Sequence, residues 1–543
     1  MTSCAQSYDV IVVGSGATGG WAAKELTQSG LQVLVLEAGR ALAREDARPA
    51  AWRRVLAPAG ADERFANQRI QRRHPAFHAG NRHFFIDDEE NPYTHPDHAP
   101  FTWIRGRQVG GRSMVWGGQT WRLSDFELKA ASADGIGLDW PLSYEQLRPS
   151  YDKVEAFIHV AGNRDGLVEM PDGRMYSQRF LTESEHHLKH VVESAWPERR
   201  VIALRSVVAD APAESFAGHT CWPRFSSPGS TLAAAEQTGR LTLRSDSVVS
   251  HLLMSTDQTH VRGVCFVDAA DGTSHEVFGK AVVLCASTLE STRILLNTRS
   301  AAHPNGIGNR SGCLGRYLMD HVAIGIRGTI PWLRAEAASA NGWGDSLPAA
   351  PRPGSVQGIY IPRFRNLKGP ERGVGFRRGY GIWGGAQREA RPIGRSRPAT
   401  FFLLVIGEML PDERNGVELA KTTDRWGIPV LDIHCILGEN ERRMVHDGYE
   451  QVCEMAARAG FERTDDIPLF TPGGFVHEVG TARMGADRNN SYLNPACQSW
   501  EVSNLFVTDG ACWTTSAYQN PTLTMMAITV HACCHIRDEV ARG

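Results

Sequence analysis

Three glycines near the start of the chain and a cluster near its end hold the residue types best suited to joint chemistry. Gly14, Gly16 and Gly19 lie in the stretch Tyr-Asp-Val-Ile-Val-Val-Gly-Ser-Gly-Ala-Thr-Gly-Gly over residues 8–20. The late cluster comprises His477-Glu-Val-Gly-Thr-Ala-Arg-Met-Gly, then Asp509-Gly510 and Asn520-Pro521-Thr522. The first pattern grips a dinucleotide, and the second can complete a redox site around it. That pairing makes the chain an enzyme candidate.

The glycines need elements that position them, and the flanking sequence supplies these. Val10 to Val13 is a β-branched run suited to a strand buried on both faces. Ala17 to Gln28 follows as a helix, with Trp21, Ala22, Glu25 and Leu26 at helical spacing; Gly30 ends it, and Leu31 to Leu36 forms a second apolar strand closed by Glu37. In this βαβ unit the glycines serve the turn, the approach of backbone to a pyrophosphate and the helix-to-strand contact. Glu37 falls near the offset of about 20 residues at which a carboxylate accepts hydrogen bonds from ribose hydroxyls. An acid there repels a 2′-phosphate, so FAD or NAD is favoured over NADP. A second glycine-rich stretch, Arg-Gly-Arg-Gln-Val-Gly-Gly-Arg-Ser-Met-Val-Trp-Gly-Gly over 105–118, lets backbone amides approach a phosphate or planar ring, with Ser113 as a hydroxyl donor.

With 543 residues the chain exceeds one ordinary domain, and roughly two to four are expected. Its 42% hydrophobic and 22% charged residues suit a soluble globular protein, and a formal net charge of −2 gives no reason to expect nucleic acid or an anionic membrane as partner. No apolar run reaches the roughly 18 residues needed to cross a bilayer. The first strand begins at Tyr8, leaving no room for a secretory signal, so a cytoplasmic location is expected. The eleven cysteines are scattered without Cys-x-x-Cys spacing, which suggests neither a disulfide framework nor a zinc site. His531, Cys533, Cys534 and His535 sit in a helical pattern over 521–537, where neighbours point apart. No metal is expected.

The organisation is interleaved. Residues 45–100 form an irregular excursion rich in Arg, His, Asp and Pro. Residues 140–160 carry a helix, with Tyr144, Leu147, Tyr151, Val154 and Phe157 at helical steps. Leu241 to Leu243, Val248 to Met254, Val261 to Val267 and Ala281 to Cys285 form a meander ending in a buried strand, and 330–400 are expected to be sheet and loops.

These motifs, with Ala286-Ser287-Thr-Leu-Glu-Ser-Thr-Arg-Ile-Leu-Leu, resemble in the same order those of the glucose-methanol-choline (GMC) oxidoreductases, FAD enzymes that oxidise alcohols. Ser311-Gly-Cys-Leu-Gly-Arg-Tyr-Leu-Met-Asp320-His321 and Gln519-Asn-Pro-Thr-Leu-Thr are most similar to the bacterial sugar and glycoside branch, with its glucoside 3-dehydrogenases, glycoside 3-oxidases and pyranose oxidases. The resemblance implies an α/β (α+β overall) architecture: a Rossmann-like FAD-binding domain over 1–45, 101–165, 205–325 and 470–543, a lid-like excursion over 46–100, and an interleaved substrate-binding domain on an antiparallel sheet over 166–204 and 326–469. It also assigns roles. His477 takes the position of the base that removes the hydroxyl proton while hydride passes to flavin N5; a neutral imidazole, with an unperturbed pKa of roughly 6.5, suits that task. Asn520 would bond the same hydroxyl, cap the helix from Pro521, or do both, and the N-terminus of that helix would face the flavin pyrimidine.

The cofactor would rest on Gly14, Gly16, Gly19, Glu37, Arg107, Gly110, Gly111, Ser113, Trp116, Gly117, Val249 through its backbone, Ala286, Ser287, Asp509, Gly510, Pro521 and Thr522. Trp383 and Gln387, in Tyr-Gly-Ile-Trp-Gly-Gly-Ala-Gln over 380–387, lie where the family builds its substrate sheet. The expected reaction converts a ring secondary alcohol of a glucopyranose-type sugar or glycoside, at C3, to the ketone. Oxygen or an external acceptor would take the electrons, and a small subunit or electron-transfer partner is compatible. Pyranose 2-oxidation, a non-sugar alcohol on the same scaffold, and a noncatalytic flavin-binding protein stay open as alternatives. In pyranose oxidases a histidine of the glycine-rich loop bonds the flavin covalently, and Val115 stands in its place here. Valine cannot make that bond, so the FAD is expected to be noncovalent. Acid precipitation should then release all the yellow colour to the supernatant; colour retained in the pellet would contradict it.

Overall fold

In the computed structural model the chain is described over residues 7–43, 46, 66–75, 77–78, 81–208, 226–334, 358–367, 373–387 and 398–542. Parts of the excursion and of the 330–400 region therefore lie outside the described residues. Five parallel strands, in the order Leu241–Arg244, Val33–Leu36, Ser7–Val13, Ser274–Leu284 and Leu505–Val507, form the heart of a larger sheet. Val10 to Val13 and Val33 to Leu36 are all buried, as β-branched and Leu runs covered on both faces should be. Ser274–Leu284 is longer than the apolar run alone suggests, because its exposed first half pairs antiparallel with Val261–Asp268, which pairs with Ser247–Met254. The helices Ala17–Gln28, Tyr144–Ile158 and Thr522–Arg542 pack together, with Trp21 edge-on to Phe157 at 5.2 Å. Ser143 and Gln146 form a capping box that starts the second of these.

A second, antiparallel sheet runs in the order Glu462–Ile467, Val322–Arg334, Pro398–Gly407, Tyr380–Gln387, Ile359–Ile361 and Ile202–Ala203. Strand alternation sorts its side chains. Tyr380, Ile382 and Ala386 join Val322, Ile326, Leu403 and Val405 in a core under the helices Glu439–Arg458 and Glu183–Ala195. Trp383, Phe402, Leu404 and Ile406 instead meet Phe470 and Phe475, which lead into His477. The fold is thus mixed α/β, and its second sheet lays an aromatic face against the segment that carries His477. No helix among the described residues is long and apolar enough to cross a membrane. Cys533 is buried and Cys534 exposed, so these neighbours point apart.

Candidate active site

All five parallel strands end at one edge of their sheet, where open α/β folds place ligands. Gly14 adopts φ +98°, and a Cβ there would stand 2.4 Å from the Cys285 carbonyl oxygen. A Cβ on Gly19 would reach 1.9 Å from the Gly14 oxygen, so helix and loop touch backbone to backbone. Gly16, the N-cap of the first helix with no side-chain cap bond, is different: a Cβ would meet nothing nearer than the Gly110 oxygen at 4.0 Å. Two glycines are needed for contact, and the third leaves open space before free helix N–H groups, which suits a pyrophosphate.

Glu37 reaches back to this loop. Its carboxylate accepts from Ser15 N at 3.1 Å, Ser15 Oγ at 2.5 Å and Gly39 N at 2.8 Å, while burial pushes its carboxyl pKa up. Ser15 Oγ in turn accepts from Gly110 N at 2.9 Å, tying the glycine-rich loop to the fingerprint. Gly110 and Gly111 take φ +90° and +49°, and Ser113 donates to the Gly110 carbonyl at 2.6 Å. Arg107 bonds Asn91 Oδ1 and stacks over Trp426, 4.6 Å from its centre. Trp116 is half-buried and Gly117 exposed, at the loop's rim. Val249 sits beside a bulge in its strand, across from Phe266. Ser287 holds φ +81° where the strand Ser274–Leu284 turns into the helix Thr288–Asn297, and Ser291 Oγ bonds both Ala286 N at 3.1 Å and Asp509 at 2.5 Å. Burial pushes Asp509 up to about 6. A Cβ on Gly510 would lie 2.3 Å from Thr288 Oγ1 and 2.8 Å from the Glu478 carbonyl, so the His477 segment rests directly on this strand end.

His477 itself is one half of a histidine pair. Its Nδ1 lies 2.9 Å from Nδ1 of His321, 156 residues away in sequence. The backbone at Ser516 and Ala517 bonds the His321 ring in the sense that favours its protonated form, against the larger effect of burial. Asn520 Nδ2 can only donate, so Nε2 of His477 keeps its lone pair, its Nδ1 carries the proton and donates, and a neutral His321 accepts at Nδ1. Asn520 Nδ2 faces that lone pair at 3.4 Å. Burial, then His321, Arg112 and His74, hold His477 well below the usual imidazole value, and burial takes His321 down to about 4. The neighbouring Asp320 accepts backbone N–H bonds from His321, Gly473, Phe475 and His477 at 2.7, 2.8, 3.3 and 3.0 Å. Burial and Glu478 push its carboxyl up to about 7 against those donors.

Asn520 differs from the capping expectation. The helix starts at Thr522, Met525 N donates to the Pro521 carbonyl at 2.9 Å, and the Asn520 side chain turns to His477 with its Oδ1 buried and unpartnered. Trp383 packs edge-on to Phe402 at 5.0 Å and lies across from Tyr360 in the neighbouring strand. Trp383 Nε1 and Tyr360 Oη are also buried without a partner. Gln387 pairs with Thr400 through the strand, and its side chain lies outside the described residues. Sequence reasoning missed His321, Asp320 and Arg112 as site residues. The adjacent Asp320-His321 was the available signal.

The family follows from this geometry and from comparison with known proteins. The chain belongs to the GMC oxidoreductases: the N-terminal family model matches residues 8–323 and the C-terminal model 411–529. It is an FAD-dependent oxidoreductase of alcohol and sugar CH–OH groups, and the open cradle at Gly16 and the buried Glu37 fit that cofactor. Among relatives, 2-methyl-1,2-propanediol dehydrogenase of Mycolicibacterium austroafricanum is 26% identical, covering 98% of this chain and 95% of its own. The fructose dehydrogenase large subunit of Gluconobacter japonicus is 26% identical over 99% of both chains. C-glycoside 3-oxidase of Microbacterium trichothecenolyticum is 24% identical over 55% of this chain and 54% of its own. In fold the chain is similar to pyridoxine 4-oxidase from Mesorbium loti, with TM-score 0.60, 17% identity and coverage of 98% of this chain and 99% of that one.

The depressed His321 sets a pH dependence. The folded state keeps it neutral, so the unfolded chain binds the extra proton and stability is lost as pH falls from 6.5 toward about 4, by on the order of 3 kcal/mol. Buried Asp320 and Asp509, raised above their usual range, act in the opposite sense, so the comparison is with His321→Gln. The stability gap between wild type and this variant, from denaturant unfolding, should shift against the wild type between pH 7 and pH 4.5. A gap independent of pH would contradict a neutral buried His321.

Proposed function

We propose that this enzyme oxidises a ring secondary hydroxyl, at C3, of a glucopyranose-type glycoside to the ketone. The observation that carries the substrate class is a pair of unpartnered buried groups on the base's side of the site: Asn520 Oδ1, whose amide faces His477, and Nε1 of Trp383, on the aromatic face that meets Phe475. A monofunctional alcohol would satisfy one of the two, whereas a sugar ring brings further hydroxyls and an apolar face for Trp383. Leaving such groups unbonded costs about 1–3 kcal/mol each. The partial likeness to a C-glycoside 3-oxidase supports the same reading.

In this reading the protein holds FAD on the fingerprint, Glu37, Arg107, the glycine-rich loop and the 285–287 and 509–510 turns, with 166–204 and 326–469 supplying the substrate side. FAD, when bound, supplies the acceptor for the hydride leaving the carbinol carbon. His477 Nε2 takes the hydroxyl proton, which keeps positive charge from building on that carbon. His321 holds the ring in the tautomer that leaves Nε2 free, and Asn520 Nδ2 donates to the hydroxyl oxygen and fixes its direction. Electrons then pass to oxygen or an external acceptor, and an added electron-transfer subunit is compatible, since one relative is itself a large subunit. A non-sugar diol is the second reading, favoured by the full-length likeness to a diol dehydrogenase.

Anaerobic mixing with methyl glucosides, a C-glycoside, free sugars and 2-methyl-1,2-propanediol tests both. Glycosides should bleach the flavin band and yield a 3-keto product by NMR. Bleaching by the diol alone, or a 2-keto product, would overturn the glycoside reading. His477→Ala should slow bleaching about 10² to 10⁴-fold, and a loss below about tenfold would exclude His477 as the base.

A further inference from the structure

Arg112 projects from the short 3-10 turn Gly111–Met114 of the glycine-rich loop and reaches the segment that carries His477. Its NH1 donates to the Val476 carbonyl at 3.2 Å and to Glu478 Oε2 at 2.9 Å, gripping the residues on either side of His477. The Glu478 side chain is 1% exposed and its second oxygen has no partner. Arg112 thus pairs with a carboxylate whose other oxygen is stranded in the interior. Val476 stands at φ +63°. A β-branched residue rarely adopts that conformation, and it persists only where surrounding contacts enforce it. Those contacts are Arg112 on the Val476 carbonyl and Asp320 on the N–H groups of Gly473, Phe475 and His477.

We propose that Arg112 is a positioning residue for His477: it clamps the strained turn before the imidazole and neutralises the carboxylate after it, so that the loop lying on the fingerprint also aims the base. This rests on the reading of His477 as the base. The charged or titratable groups acting on the His477 ring are His321, His74 from the excursion and Arg112 from the loop, while the Asp320 carboxylate takes the His477 backbone N–H and Glu478, next in the chain, pairs with Arg112. Loss of the Arg112 charge would remove a repulsion on the imidazolium and leave Glu478, the next residue in the chain, uncompensated, and both changes favour the imidazolium. The protonation of His477 should then move to higher pH. A guanidinium-to-ammonium exchange keeps the charge but loses the fork that serves two acceptors.

The test needs no substrate. Holoenzymes of wild type, Arg112→Met, Arg112→Gln and Arg112→Lys are exposed to diethyl pyrocarbonate across pH, and modification of the half-buried His477 is followed by peptide mass spectrometry, since only the neutral imidazole reacts. The acid limb should move upward in the Met and Gln variants and stay near wild type in the Lys variant, with flavin content unchanged. Flavin reduction by methyl β-D-glucopyranoside should fall about tenfold to a hundredfold in the Met variant, with partial recovery in the Lys variant. An acid limb unmoved in both neutral variants overturns the proposal. Failure of His477→Ala to slow reduction would instead sink the base assignment, while the modification profile still reports on the clamp.

Discussion

Two neutral imidazoles share one hydrogen bond at 2.9 Å in a buried site, and the arrangement works only while neither is protonated. A proton on His321 would remove the acceptor that His477 Nδ1 needs. A proton on Nε2 of His477 would remove the lone pair that faces Asn520. Burial supplies most of the bias toward the neutral pair, and the Arg112 charge adds to it. The carboxylate nearest in sequence, Asp320, spends its acceptor capacity on four backbone N–H groups, where it fixes the path of the chain on both sides of the pair.

The larger scaffold serves this pair. Parallel strands bring the 14–16, 285–287 and 508–510 turns to one sheet edge, and Gly510 lets the His477 segment lie against it with only van der Waals clearance. From the other side, the antiparallel sheet presents Trp383 and Phe402 toward Phe475, which meets the His477 ring edge-on at 4.9 Å. The reacting groups are thus carried by loops, while the elements beneath them are rigid and buried.

Local sequence made the first half of this legible. The fingerprint, its flanking strand and helix, and Glu37 all lie within about thirty residues, so their physical tasks follow from spacing alone. The helix Ala17–Gln28 has the bounds that its periodicity and Gly30 imply. His321 was hidden because its partner is 156 residues distant, and nothing in one stretch of sequence tells which of twenty histidines will meet another. Asn520 before proline has the local pattern of a helix cap, yet the helix begins one residue later and the site takes the amide.

The central claim is the protonation pattern of the pair, and the most direct measurement is ¹⁵N NMR of the holoenzyme labelled at the histidine ring nitrogens, with His477 and His321 assigned from single variants. At pH 7 the account predicts His477 protonated at Nδ1 and bare at Nε2, with His321 protonated at Nε2. An imidazolium at either position, or a proton on Nε2 of His477, would contradict it.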